Sequence, residues 1–190
     1  MTTRETVETA LIDPKIRRLW APDKRDLIDH FERLDPTTRR MRFGAAVSRE
    51  FVKGYAEDVL SIDCVVYGAF VDGTLRGVGE LRSLLGRWPP RAEAALSVES
   101  AWQAEGIGDA LFARMVAAAQ NRGVRSIYML CLRENNRMVN LAKKHHAYLK
   151  FETGDVEATL DPPWPTPFSM VEEMVGSTSS YLRAVFHLKT

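Results

Sequence analysis

A chain of 190 residues is long enough for one hydrophobic core and too short for two of ordinary size, so a single domain is expected. Hydrophobic residues at 45% and charged residues at 27% exclude a disordered or fibrous protein, and a formal charge of +1 supplies no general field toward nucleic acid or an anionic membrane. Any anion site must be local, and neither a nucleic-acid nor a membrane partner is expected.

In chain order, a first strand fits Lys15 to Trp20. Asp23, with Asp26 three residues on, then opens a helix whose apolar stripe is Leu27, Ile28, Phe31 and Leu34. Asp35-Pro36 stops it, the basic stretch TTRRMRF follows, and Ser48 caps a second helix with Phe51, Val52, Tyr55 and Val59 on one face. Two helices therefore precede the main sheet. CVVYGAFV, the turn Asp72-Gly73 and TLRGVGELRSLL read as two antiparallel strands joined by a tight hairpin. After GRWPPR (Gly86 to Arg91) comes the strand AEAALSV. ESAWQAEGIG then leads into a helix with Leu111, Phe112, Met115, Val116 and Ala119 along one side.

Gly123 ends that helix, and SIYMLCL reads as a strand buried on both faces. The next helix starts near Asn136 and carries Met138, Leu141, Ala142 and His145 at helical spacing; a last strand fits Val156 to Leu160. The core thus spans about 15–160, with a proline-rich loop and an interrupted helical extension over 161–190. PPWPTP and this extension are expected to cover the sheet or support a homodimer. The longest apolar run, Val65 to Val71, is far below the ~18 residues of a membrane span, and MTTRETVETA lacks an apolar signal core. A cytoplasmic protein is expected. Cys64 and Cys131 lie in apolar runs without a CxxC neighbour, which predicts buried thiols and no metal site.

Gln103-Ala104-Glu105-Gly106-Ile107-Gly108 lies between a strand and a helix, where unpaired N–H groups and the helix dipole attract anions. Gly106 and Gly108 lack a Cβ, so a diphosphate can approach the backbone closely. A dinucleotide GxGxxG is not met, because Leu111 stands three residues after Gly108, and GxxxxGK[ST] is absent. The ordinary alternative is a helix start that needs two glycines only to turn.

The element order resembles, over roughly Ile16 to Leu160, the GNAT superfamily of acyl-CoA-dependent N-acyltransferases, of the stand-alone bacterial type. Its Q/R-x-x-G-x-G/A motif is matched by Gln103, Gly106 and Gly108, and its N-x-x-M by Asn135 and Met138. The resemblance implies an α/β fold with a mixed, mostly antiparallel sheet and helices on both faces. It also implies acetyl-CoA as acyl donor: its diphosphate held by the backbone of Gln103, Ala104, Glu105, Gly106, Ile107, Gly108 and Asp109, and its pantetheine arm pairing with Ser97 and Val98 in a gap between the fourth and fifth strands. Asn135 would touch the same arm, or serve simply as an N-cap. Glu105 stands where many members carry a basic residue, and Asp109 adds a second acid; Arg114, Arg137, Lys143 or Lys144 could compensate.

Acyl transfer requires a neutral amine, and taking a proton from a group of pKa ~10.4 at neutrality costs about 4.6 kcal/mol. A general base is therefore sought. Glu93, which matches the Ala-Glu start of the fourth strand in histone-type members, leads, with Glu99 and Glu80 as rivals; each could equally be a salt-bridged strand carboxylate. The helical tyrosine of many members is replaced by Ala142, leaving Tyr148 and Tyr128 as weak substitutes for an acid. The acceptor is expected near the N-terminal helices and the GRWPPR loop, with Trp88, Arg82, Arg87 and Arg91. The sequence thus points to an N-acetyltransferase acting on a primary amine in a ternary complex. The alternative is a GNAT-fold acetyl-CoA-binding regulatory module without transfer.

Overall fold

A computed structural model describes residues 14–60, 63–84 and 88–164, together with Met170, Glu173 and Tyr181. The interrupted helix expected over the C-terminal extension lies mostly outside the described residues. One sheet runs in the order β1-β2-β3-β4-β5-β7-β6, with β1 Lys15–Arg18, β2 Cys64–Val71, β3 Thr74–Leu84, β4 Arg91–Val98, β5 Ser126–Leu132, β6 Tyr148–Phe151 and β7 Asp155–Leu160. Every neighbouring pair is antiparallel except β4 and β5. The hairpin turn at Asp72-Gly73 is as expected, with both residues at positive φ.

Three helices precede β2, not two: α1 Lys24–Arg33, α2 Pro36–Phe43 and α3 Arg49–Asp58. Asp35-Pro36 ends α1 and in the same step starts α2. Asp35 accepts from the Thr38 N–H at 3.0 Å and Pro36 sits at the first helical position. Because α2 buries no residue, no apolar stripe announces it. Asp23 does not cap α1 with its side chain. Its carboxylate instead takes two bonds from Arg17 and one from the Trp20 N–H. Ser48 caps α3 as expected, accepting from the Phe51 N–H.

Two apolar layers sandwich the sheet. On one face Leu27, Phe31, Leu34, Val52 and Ala56 of α1 and α3 pack on Val66, Leu75 and Val78. On the other, α4 (Ile107–Asn121) and α5 (Asn136–Lys144) cover Val65, Leu81, Ala92, Ala94, Ile127 and Met129. Two glycines let α4 lie directly on β3: a Cβ at Gly77 would come within 2.9 Å of Ile107 Cγ2, and one at Gly79 within 3.2 Å of Met115 Sδ. The strand SIYMLCL is buried on one face only, since Leu130 is 66% exposed. No described helix covers the outer side of β5, β7 and β6, so its apolar composition does not mean burial on both sides. β6, a short strand of mostly exposed residues, pairs with β7 and has no pattern that the sequence reading detected. Both cysteines are buried. No helix among the described residues is long and apolar enough to cross a membrane.

Candidate functional site

The parallel pairing of β4 with β5 extends over three registered pairs, Arg91 with Ser126, Ala92 with Ile127 and Glu93 with Tyr128. Beyond them the two strands share no register, so residues 94–98 and 129–132 turn unpaired backbone edges toward each other across a gap. A cleft of about 720 Å³ opens there. Its walls are Leu96, Ser97 and Val98 of β4, the turn that starts α4, the start of α5 with the loop before it, and one face of α2. The α2 residues, Thr37, Thr38, Met41 and Arg42, have the i, i+1, i+4, i+5 spacing of a single helical side.

The α4 turn is built to leave its amides free. Gly106 is the N-cap at φ +78°, a conformation that disfavours a side chain, and no side chain caps the helix. The helical ladder starts from the Ala110 N–H, which donates to the Gly106 carbonyl at 3.0 Å, so the first-turn amides have no partner within the helix. Gly106 and Gly108 line the cleft, and a Cβ on either would meet no protein atom within 4 Å. The space a side chain would fill is open to a ligand. Ala104 precedes them, also at positive φ.

Of the expected anion-loop residues, Ala104, Gly106, Gly108 and Asp109 line the cleft, and Gln103 with them. Gln103 braces the turn by donating to the Val98 carbonyl at 2.8 Å. Ile107 is buried in the core, so only its backbone is available, and the exposed Glu105 is not among the lining residues. Asp109 is neutralised in place: Lys144 and His145 each bond it at 2.8 Å and hold its carboxyl below the usual range. Of the four cations considered, Lys144 is the one paired with Asp109, and Arg137 also lines the cleft. His145 also packs edge-on against Phe112, as its helical position suggested. Asn135 caps α5, accepting from the Met138 N–H, and lines the cleft as well.

The three candidate bases do not line the cleft. Glu93 is exposed and sits in register with Arg82 and Tyr128. Glu99 is gripped by Arg33 at 2.8 Å and Arg76 at 2.9 Å, with His30 at 3.4 Å. Burial alone would raise its carboxyl, but these partners outweigh it and hold it at about 2. Glu80, 3% exposed, accepts from Arg42 at 2.7 Å and from the Tyr55 hydroxyl. Of the three, only Glu80 is tied to the cleft by an ion pair, because Arg42 forms part of the wall. The same carboxylate keeps the buried Arg42 guanidinium protonated against the cost of desolvation, while burial and Glu80 together push the Tyr55 phenol up.

Tyr128 and Tyr148 are not cleft residues. Neither is Trp88, 90% exposed, which lines a separate hollow with Pro89, Pro90, Arg125 and Trp164. The cleft wall thus includes α2 but not the tryptophan of the GRWPPR loop. Sequence reasoning missed Thr37, Thr38, Met41 and Arg42, whose helix has no apolar signature, and His30, which it passed over inside an apolar stripe.

Residues 25–148 match the family model described as the acetyltransferase (GNAT) family. A search of curated proteins gave no match. Among solved structures, the GNAT domain of S. lividans PAT is similar with a TM-score of 0.67 at 24% identity, over 78% of this chain and 90% of that one. The yncA structure from Salmonella typhimurium with its cofactor acetyl-CoA gives a TM-score of 0.63 at 15% identity, over 79% and 94% of the two chains. The PaiA N-acetyltransferase of Thermoplasma acidophilum in complex with coenzyme A gives 0.60 at 18%, over 79% and 99%. At these identities the likeness establishes the fold.

Proposed function

The chain belongs to the acetyltransferase (GNAT) family, and on that premise we propose that it moves an acetyl group from acetyl-CoA directly to a primary amine, small molecule or protein lysine, within a ternary complex. The observation that carries this reading is the parting of β4 from β5 into a cleft that ends on the uncapped turn of α4. An extended, amide-bearing arm suits a gap between two unpaired strand edges, and a diphosphate suits free helix-start amides beside two glycines that leave open space.

In this reading Ala104, Glu105, Gly106, Ile107, Gly108 and Asp109 hold the diphosphate through their backbone, and the backbone of Ser97 and Val98 faces the pantetheine arm. Gln103 braces the turn and Asn135 closes the opposite wall. Acetyl-CoA supplies an acyl group already activated as a thioester. Its thiol, with a pKa near ~8.5 if it resembles a cysteine, leaves with little need of an acid. With Glu93, Glu99 and Glu80 all away from the cleft lining, the amine gives up its proton to solvent in the open cleft mouth. The chain's contribution is then mainly positioning, which by itself can supply several kcal/mol.

One observation favours the second reading, a non-catalytic acetyl-CoA-binding regulatory module. Ala142, where many family members place a tyrosine, is buried, and no tyrosine lines the cleft among the described residues. The test combines calorimetric titration with CoA and release of free thiol from acetyl-CoA in the presence of spermidine, tyramine or Nα-acetyl-lysine. Saturable binding with amine-dependent thiol release supports transfer. Binding without release on any amine supports the regulatory module, and absence of CoA binding removes both.

A further inference from the structure

His30 is fully buried within the apolar layer under α1, yet both of its ring nitrogens face polar groups. Nε2 lies 2.9 Å from Ser97 Oγ, whereas Nδ1 has no aligned hydrogen bond and meets Glu99 Oε1 only as an electrostatic neighbour at 3.4 Å. The orientation of the protons follows from chemistry. Glu99 is an ionised carboxylate and can only accept, so a bare Nδ1 would set lone pair against lone pair. Nδ1 therefore carries the hydrogen. A second proton on the ring is disfavoured by burial, and Arg33 and Arg76 together outnumber the one negative charge of Glu99. Neutral, with its hydrogen on Nδ1, His30 offers a lone pair at Nε2, and the Ser97 hydroxyl must donate to it.

A serine hydroxyl has one hydrogen and two lone pairs, so Ser97 is left as an acceptor only. It lines the cleft. We infer that Ser97 is a positioning residue for the acceptor amine, accepting one of its N–H hydrogens and so directing the nitrogen lone pair along the cleft. The inference rests on the acetyl-transfer reading above. Two classes of donor would reach the cleft, the amine and the amides of the pantetheine arm. The side of the sheet distinguishes them: Ser97 leaves β4 on the face that carries α1, toward His30, whereas α4, whose turn would hold the diphosphate, packs on the opposite face. The amine is the donor left to the α1 and α2 side. The hydroxyl cannot bond a thioester carbonyl, because its hydrogen is committed, and His30 is a poor proton store beside two arginines. Ser97 is thus neither a nucleophile nor a base.

Long-range ¹H–¹⁵N NMR of protein labelled in histidine reads the tautomer directly. The expected result is a His30 ring protonated at Nδ1 and bare at Nε2, unchanged between about pH 6 and about pH 9. A ring protonated at Nε2 overturns the inference, since Ser97 would then turn its hydrogen to the cleft. Kinetics test the role with acetyl-CoA and the three amines above. Ser97→Ala should lower kcat/KM for the amine about tenfold, the scale of one neutral hydrogen bond, while CoA affinity by calorimetry stays unchanged and Ser97→Thr restores most of the activity. Loss of CoA affinity instead would assign the hydroxyl to the pantetheine arm and overturn the proposal, as would unchanged amine kinetics. CoA binding without turnover on any amine overturns the amine assignment together with the transferase reading, whatever the NMR shows. A protein that binds no CoA at all removes the acetyl-CoA reading itself.

Discussion

Gly108→Ala separates what the α4 turn does for the fold from what it does for a ligand. Gly108 lies in the first turn of the helix, outside the positive-φ region, and an added Cβ would touch no protein atom within 4 Å. Replacing a helical glycine by alanine in unstrained geometry stabilises by roughly 0.5–1 kcal/mol, so the melting temperature should rise by about 2 °C in a chain of this size. The same methyl group occupies space into which the free amides point. If a diphosphate sits there, at least one charge-assisted bond from amide to phosphate is lost or lengthened. At ~1.5–3 kcal/mol apiece, CoA binding should weaken at least about tenfold. Calorimetry with CoA and thermal unfolding of the same preparation give both numbers, and the two changes have opposite signs. Unchanged CoA affinity with the expected rise in stability would refute the cradle. Gly106→Ala is less informative: at φ +78° the substitution strains the backbone by about 1 kcal/mol and lowers stability as well.

Glu99 makes stability depend on pH in a defined window. Its carboxyl, held at about 2 against an ordinary 4.5, binds its proton less readily in the folded state. The benefit is therefore complete above the ordinary value and lost as the pH falls from there toward 2. Roughly 3 kcal/mol before screening and about 2 after it are at stake, and denaturant titrations at stepped pH should show Glu99→Gln flattening that part of the curve. Arg42→Met should cost about 3–5 kcal/mol in urea unfolding, because Glu80 is left buried without its cation, and adding Glu80→Leu should recover much of the loss. Gly77→Val, crowding Ile107, should cost about 1–3 kcal/mol by the same measurement. With Glu80, Glu93 and Glu99 away from the cleft lining and its carboxylates Asp109 and Glu134 both ion-paired, log kcat/KM for the amine should rise with unit slope toward the pKa of the free amine; a plateau well below it would reveal a base in the protein.

The sequence reading reached the elements that announce themselves through period or turn chemistry: the Asp72-Gly73 hairpin, the α3 stripe behind Ser48, and the strand, glycine turn and helix from Arg91 to Asn121. It missed α2 and β6, and both failures have the same cause. α2 buries nothing and most of β6 is exposed, so neither leaves a hydrophobic period, and α2 is set by a local cap that could also be read as a stop. Gly106 was legible because a positive φ selects glycine, and the Ser48 and Asn135 caps because a helix start selects a short side-chain acceptor. The distribution of carboxylates was not legible. Which glutamate meets which arginine depends on pairs such as Arg33 with Glu99 and Arg42 with Glu80, far apart in the chain. His30 matched its apolar neighbours in period, and only the distance to Ser97 distinguishes it from them.

The α2 wall buries no residue fully and joins the apolar layers only at its end, where Phe43 packs on Phe31 and Tyr55. What fastens the rest of it is the Gln103 and Asn135 amides reaching Thr38 and Met41 at 3.5 Å, the Arg40–Glu134 ion pair across the cleft from the loop before α5, and the buried anchor of Arg42 on Glu80 and Tyr55. The start of such a helix can shift outward without opening a void in the core, so its amides should exchange with solvent well before those of α4. The α2 side of the cleft is thereby held more loosely than the α4 turn. On the proposed transfer reading, acceptors of different girth enter past α2 while the turn that holds the donor keeps its shape.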